Sequence, residues 1–390
     1  ALPRLLGGLL LVLWPPELLR LVFGLPMLGG PGAAVFLVYL LLALALPGLG
    51  NRLLSVFLLS GIALVITLDG AIAPFFLAVQ SAMVFTAFLP AVFLLRHAMV
   101  SDRQLLRYRE RLRTKADREQ LGWMLVGAYV LGSTLTVGAL AVLAPVLDRE
   151  TPLQQRRRAA MACMFGISLS VLWSPVFVAM AVVSQFMAHV PLWKPMLIGV
   201  FLGSLGLVGL LGVLGFPGGW RSPLAALAAL RGILPLVAVT AGTTVLLVSV
   251  TPLTTMEAAS LILLPLVAVI LLRQDQDRRR VALSSTRASL ERLGAELSVV
   301  AWAFVLGALM RRSETIQTLA QGLFSPETPA LLLIALIVYG ILATVSIGGH
   351  PIVAASVLLA VLGAGSGQLT DTVLFASVVL GWGCSSMIGP

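Results

Sequence analysis

Apolar runs of about twenty residues recur along the chain, each long enough to cross ~30 Å of hydrocarbon as a helix. They fall at about 5–24, 34–48, 52–69, 71–95, 121–147, 159–185, 195–216, 224–250, 254–272, 294–310, 329–363 and 370–390. Runs such as 196–214 lack the period-two alternation of a barrel strand, so the pattern predicts helices. Glycine and proline punctuate the junctions, as in Pro47-Gly48, Pro217-Gly218-Gly219 and Thr251-Pro252. The fold class this predicts is an all-α integral membrane protein. Residues 1–24 are apolar but carry Pro15, Pro16, Glu17 and Arg20, which suits a broken or tilted first helix better than a cleavable leader.

Composition agrees. Of 390 residues 59% are hydrophobic and 11% charged, too few charges to cover a water-facing surface. The net charge of +10 sits in short loops rather than in a binding domain, so it reads as membrane orientation and not as nucleic-acid binding. Cys163 and Cys384 lie in apolar runs and imply no disulfide framework.

Charge changes the count of crossings. Residues 96–118 hold Arg96, Arg103, Arg107, Arg109, Arg111, Arg113, Lys115 and Arg118, and residues 274–292 hold a second basic group. Both are expected on the cytoplasmic face of a cell membrane, the bacterial inner membrane being the natural setting. Leu105, Leu106 and Leu112 among the arginines suggest an interfacial helix lying against membrane lipids. The next apolar run, 121–147, has Arg149 and Arg156-Arg157-Arg158 on its far side, so a single crossing would leave a basic flank outside. A re-entrant helical hairpin removes the conflict, with its turn in Gly132-Ser133-Thr134-Leu135-Thr136-Val137-Gly138. The run 329–363 is too long for one span and breaks at Ser346-Ile347-Gly348-Gly349-His350-Pro351, between flanks without Lys or Arg, so a second hairpin of opposite orientation is expected. Arg311-Arg312 then falls at the outer interface, against the charge rule.

The halves echo each other. Gly166-Ile-Ser168-Leu-Ser170-Val-Leu-Trp-Ser174-Pro175 has a counterpart in Gly381-Trp-Gly383-Cys-Ser385-Ser386-Met-Ile-Gly-Pro390, and each follows a hairpin by a similar interval. The expected organisation is an N-terminal helix over 1–33 and a first repeat over 34–216, with hairpin 121–147 and interrupted helix 159–185. A second, inverted repeat covers 224–390, with hairpin 329–363 and an interrupted helix 370–390 that continues past the last residue. Inverted repeats with paired broken helices point to a secondary transporter whose site lies between the repeats. Broken helices expose N–H groups that attract anions and carbonyls that attract cations.

This layout resembles the ion transporter superfamily of elevator-type carriers, nearest to the divalent anion/sodium symporters and arsenite permeases. The resemblance covers about residue 34 to the end. It implies substrate or ion binding at Ser133, Thr134, Thr136, Ser346, Gly348, Gly349 and His350 in the hairpin turns. It implies the same for Ser168, Ser170, Ser174, Gly383, Ser385 and Ser386 in the interrupted helices. It also implies Na+ or H+ as coupling ion, with a candidate Na+ site at the turns, a small anionic solute as cargo and a homodimeric scaffold. Neither turn carries the asparagine that serves substrate and sodium in that family, so the dicarboxylate signature is absent. No catalytic residue or cofactor is expected. Two other readings remain open: a membrane enzyme acting on a lipid-linked substrate, built on His350, and a non-transporting scaffold subunit, whose broken segments would not converge.

Overall fold

The structure is a computed structural model that describes residues 2–387 except 47, 71, 101, 137, 147–150, 215–220, 324–327 and 364–368. Arg149, Val137, Pro47, Pro217-Gly218-Gly219 and Ile388-Gly389-Pro390 therefore lie outside the described residues.

Every regular element among the described residues is helical. The chain opens with α1 (Leu2–Phe23), α2 (Gly29–Ala43), α3 (Leu49–Asp69), α4 (Ile72–Ala82) and α5 (Phe85–Val100). A surface helix α6 (Arg103–Arg113) leads to α7 (Asp117–Leu135), α8 (Gly138–Leu143), α9 (Leu153–Val171) and α10 (Val178–Phe186). Next come α11 (Trp193–Leu214), α12 (Arg221–Ala229), α13 (Leu234–Val250), α14 (Thr255–Leu272) and the basic α15 (Gln276–Arg292). The chain closes with α16 (Gly294–Arg312), α17 (Glu314–Leu323), α18 (Ala330–Ser346), α19 (Pro351–Leu362) and α20 (Asp371–Ser385).

Six helices are long and apolar enough to cross a membrane, α4 and α5 counting as one, and α12 with α13 makes a seventh bent by 75°. A multi-pass membrane protein is the class these helices suggest. The remaining apolar helices are shorter: α2 has 15 residues, α18 has 17, α19 has 12 and α20 has 15. At 1.5 Å per residue, even α18 reaches only about 25 Å.

Several local expectations change. α1 runs unbroken through Pro15 and Pro16. The run 224–250 is not one straight span, because Arg231-Gly232 falls in the bend between α12 and α13. The first turn falls later than expected, since Ser133 and Thr134 remain in α7. Their hydroxyls donate back to the carbonyls of Val130 (2.7 Å) and Leu131 (3.4 Å), which lets a polar residue finish a buried helix. Ser168 and Ser170 likewise belong to the last turn of α9, and Ser385 to that of α20. The unwound stretch of the first interrupted helix is Leu172 to Phe177. Pro175 has no N–H to give there, and Ser174 before it is pushed off helical geometry.

Lipid offers no hydrophobic drive between helices, so close packing must hold them. The glycines that match between the two halves do this work. A Cβ on Gly166 of α9 would stand 2.4 Å from the carbonyl oxygen of Leu125 in α7. A Cβ on Gly381 of α20 would stand 3.1 Å from Cα of Val338 in α18. α7 thus packs along α9, and α18 along α20.

The surface helices match as well. α6 buries Leu105, Tyr108 and Leu112 on one face, and Tyr108 donates to the carbonyl of Trp123 in α7 at 2.7 Å. Its Arg109 donates to the carbonyl of Val142 at the end of α8. α17 does the same for α19, where Gln317 donates to the carbonyl of Ala360 at 3.1 Å. A cation or amide at a helix C-terminus satisfies carbonyls that have no intrahelical partner.

Charges inside the bundle are tied down. Glu17, fully buried, receives two 2.8 Å bonds from Arg20, which also reaches Glu257 at 3.4 Å. Glu257 closes a capping box with Thr254 at the start of α14. Arg311, misplaced by the charge rule, donates to the carbonyl of Phe186 where α10 ends, a local reason for a cation on that side.

Candidate functional site

The second turn is built by two devices. Gly348 adopts φ +86°, and Gly348 and Gly349 donate to the carbonyls of Val345 (2.9 Å) and Thr344 (2.8 Å), closing α18 with a Schellman motif. Pro351 then opens α19, and His350 caps it by accepting from the amide of Ile352 on Nδ1 at 3.3 Å. The first turn has no glycine at the corresponding point. Thr136 takes φ 52°, ψ −135°, a strained conformation for a β-branched residue.

The predicted residues fall into four groups. Ser168, Gly383 and Ser386 meet where α9 and α20 end, and Ser133 meets Ser174 at the break after α9. Ser168 and Ser386 hydroxyls bond at 2.6 Å, Ser174 donates to the carbonyl of Ser133, and a Cβ on Gly383 would meet the Ser168 carbonyl at 3.0 Å. Thr136 and His350 reach a common cavity. Thr134, Ser170, Ser346 and Ser385 are engaged by carbonyls of their own helices, with Ser346 exposed. Gly348 and Gly349 shape the turn.

The cavity holds about 350 Å³. One turn contributes Thr136 and the other His350; the unwound stretch contributes Phe177, and α20 contributes Trp382. The ring of His350 meets Trp382 edge-on, with centroids 6.1 Å apart. The opposite wall comes from Leu89 to Arg96 of α5, about 10 Å of helix. Glu296 and Val300 of α16 complete it. Trp173 packs against Tyr129 (5.8 Å) and is not part of this lining.

Arg96 and Glu296 are the charged residues of the cavity, and the sequence did not single out either as a site residue. Arg96 looks like the first member of a basic loop, yet α5 continues to Val100 and keeps it in the bundle. Its side chain lies across Gly138, whose absent Cβ leaves the room, and its Nε is buried without a hydrogen-bond partner. Glu296 stands in the first turn of α16, accessible from the cavity. The two charges act on each other, but no ion pair joins them. The available signal was that Arg96 directly follows the apolar run ending at Leu95, with no polar spacer. Among the described residues no group of three or more metal-ligating side chains assembles.

A second, more open groove of about 420 Å³ lies at α6 and α12, lined by Arg111, Lys115, Trp123 and Arg231. Lys115 sits 4.8 Å above the Trp123 ring and 2.9 Å from Glu119. Arg231 thus faces a surface groove and not the cavity.

No protein-family model matches the chain, and no curated protein matches its sequence.

Proposed function

We propose that this chain is a secondary active transporter that carries a small anionic solute by an elevator-type motion, driven by an ion gradient. The observation that carries the reading is the meeting of two matching halves at one cavity. The series α5, α6, α7–α8, α9 is matched in order by α16, α17, α18–α19, α20. The breaks of both series converge through Ser168–Ser386 and through Thr136 and His350. This favours a carrier over a scaffold subunit, for which convergence has no use.

In this reading α7–α8 and α18–α19 are re-entrant hairpins, and the repeats are inverted. With α9, α10 and α20 they form the mobile part, while α3, α11, α13 and α14 belong to the scaffold of a homodimer. The basic α6 and α15 mark the cytoplasmic side. The cavity wall at Arg96 and Glu296 lies toward that side, so the carrier is drawn open inward. The resemblance to the ion transporter superfamily supports the same arrangement. A carboxylate close to His350 would favour the membrane-enzyme reading. Glu296 shares the cavity, but no bond joins the two among the described residues.

Two measurements test this. Arg107→Cys and Glu314→Cys, each in a background with Cys163 and Cys384 replaced by alanine, are labelled in intact cells with a membrane-impermeant maleimide. Inversion expects Glu314→Cys to react from outside and Arg107→Cys only after permeabilisation; labelling of both from one side sinks it. Proteoliposomes should exchange labelled organic anion across the membrane, and absence of exchange for a broad panel of anions refutes transport.

A further inference from the structure

The cavity holds one cation and one carboxylate that are not bonded to each other, in a lining otherwise dominated by Leu89, Val92, Phe93, Phe177 and Trp382. Building on the transport reading, we infer that Arg96 binds the carboxylate of an amphipathic monovalent organic anion. We further infer that Glu296 takes up the proton that is carried with it.

Charge balance across the membrane decides the coupling. Empty, the cavity is neutral, with Arg96 positive and Glu296 negative, and the first turn of α16 favours the charged carboxylate. An entering monoanion meets the guanidinium of Arg96 where that residue lines the cavity, and leaves the site one charge negative. Moving uncompensated charge through the bilayer is unfavourable, and one proton on Glu296 restores neutrality. A dianion would stay uncompensated after that proton, and an inorganic ion would leave the apolar wall wet. Size agrees, because about 350 Å³ lies in the range of small-molecule pockets.

Other charges do not substitute. Among the elements packed on α16, α2, α4 and α19 carry no charged residue. On α1, Arg4 is exposed, and Arg20 and Glu17 pair with each other; on α3, Arg52 reaches the carbonyl of Leu46 and Asp69 bonds Thr315. On α15, Arg287 pairs with Glu291 and Arg292 donates to the carbonyl of Ala288. Glu314 of α17 lies at the far end of α16. Arg96 of α5 acts on Glu296, and His350 shares its cavity.

The test uses purified full-length protein and phenylpyruvate, a monoanion with an apolar body. Calorimetry in buffers of different ionisation enthalpy should count one proton taken up per anion bound at a pH where Glu296 is charged. Above the titration of Glu296 the Kd should rise about tenfold per pH unit. In Glu296→Gln that slope disappears, the affinity stays at the acid-side value, and an inward proton gradient no longer drives accumulation in proteoliposomes. Arg96→Gln should lose binding at every pH, and Arg96→Lys should recover part of it. Phenylsuccinate and sulfate should bind at least tenfold more weakly. Absence of phenylpyruvate binding, binding without proton uptake, accumulation driven by sodium alone, or an unchanged pH slope in Glu296→Gln would each overturn the inference. If Glu296→Gln does not fold, the proton count on the unaltered protein still decides. Exchange that persists without pH dependence ends this inference alone; absence of exchange for every anion ends the transport reading too.

Discussion

Gly166→Ala adds one methyl group where α9 crosses α7. The new Cβ would stand 2.4 Å from the Leu125 carbonyl oxygen, 2.7 Å from the Ala128 Cβ and 2.8 Å from the Tyr129 amide nitrogen. None of these atoms can rotate away, so the helices must part by about an ångström, and overpacking of this kind costs ~1–3 kcal/mol. Alanine recovers up to about 1 kcal/mol of helix propensity. The net expectation is a loss of about 1–2 kcal/mol. Two controls calibrate it. At Gly381 the nearest atom is the mobile Cδ1 of Ile341 at 2.9 Å, with backbone at 3.1 Å, so Gly381→Ala should cost less than Gly166→Ala. A Cβ on Gly209 in α11 meets nothing within 4 Å, so Gly209→Ala should gain stability or leave it unchanged. Unfolding in detergent can be followed by a thiol-reactive dye, because Cys163 on α9 is 2% exposed and reacts when α9 separates. The predicted order of stability is Gly209→Ala, then wild type, Gly381→Ala and Gly166→Ala. A Gly166→Ala protein as stable as Gly209→Ala would mean that α7 and α9 do not pack as described.

Three further changes probe other parts of the frame. Thr136→Gly removes a side chain from a conformation that costs a β-branched residue ~1–3 kcal/mol, so thermal unfolding should shift upward, whereas Thr136→Val should not. Arg20→Met leaves the buried Glu17 without its partner and should destabilise by about 3–5 kcal/mol, with Arg20→Met plus Glu17→Leu recovering most of the loss in denaturant unfolding. Ser168→Ala and Ser386→Ala should show a coupling of about 0.5–1.5 kcal/mol in a double-mutant cycle, and additivity would mean the two halves do not meet there.

Legibility in the sequence followed the range of the interaction that sets each feature. The helices were readable because hydropathy is local, and so was the break before Pro351, because Gly348, Gly349 and Pro351 act on their own backbone. The place of the first turn was not. Serine and threonine suit a turn, but Ser133 and Thr134 found carbonyls within α7, and which option a hydroxyl takes depends on the burial around it. The bend at Arg231-Gly232 was hidden because a continuous apolar run looks the same whether straight or folded over. The similar close-packing positions at Gly166 and Gly381 were visible in the sequence. The matching tethers from Arg109 and Gln317 were not, since they use different residue types for the same contact.

The cavity was the least legible feature, for a reason that also bears on its use. Most charges within the bundle are explained by a partner: Arg20 holds Glu17 and Glu257, and Arg311 ends α10. Such groups could be replaced by packed apolar side chains with little loss, because they answer each other. Arg96 and Glu296 differ. They come from helices far apart in sequence and face one space without bonding, and Arg96 keeps a buried donor unused. An unused buried donor is a standing cost, and removing Arg96 alone would relieve it while leaving Glu296 without its counter-charge. A carboxylate facing the Arg96 guanidinium and a proton on Glu296 balance the charge of the cavity together. On this argument anion and proton bind cooperatively without any need for contact between them. A double substitution, Arg96→Met with Glu296→Leu, should therefore yield a protein more stable than either single variant and unable to bind the anion. Stability of the double variant below both singles, measured in the same detergent, would show that the two charges serve the frame instead of the cavity.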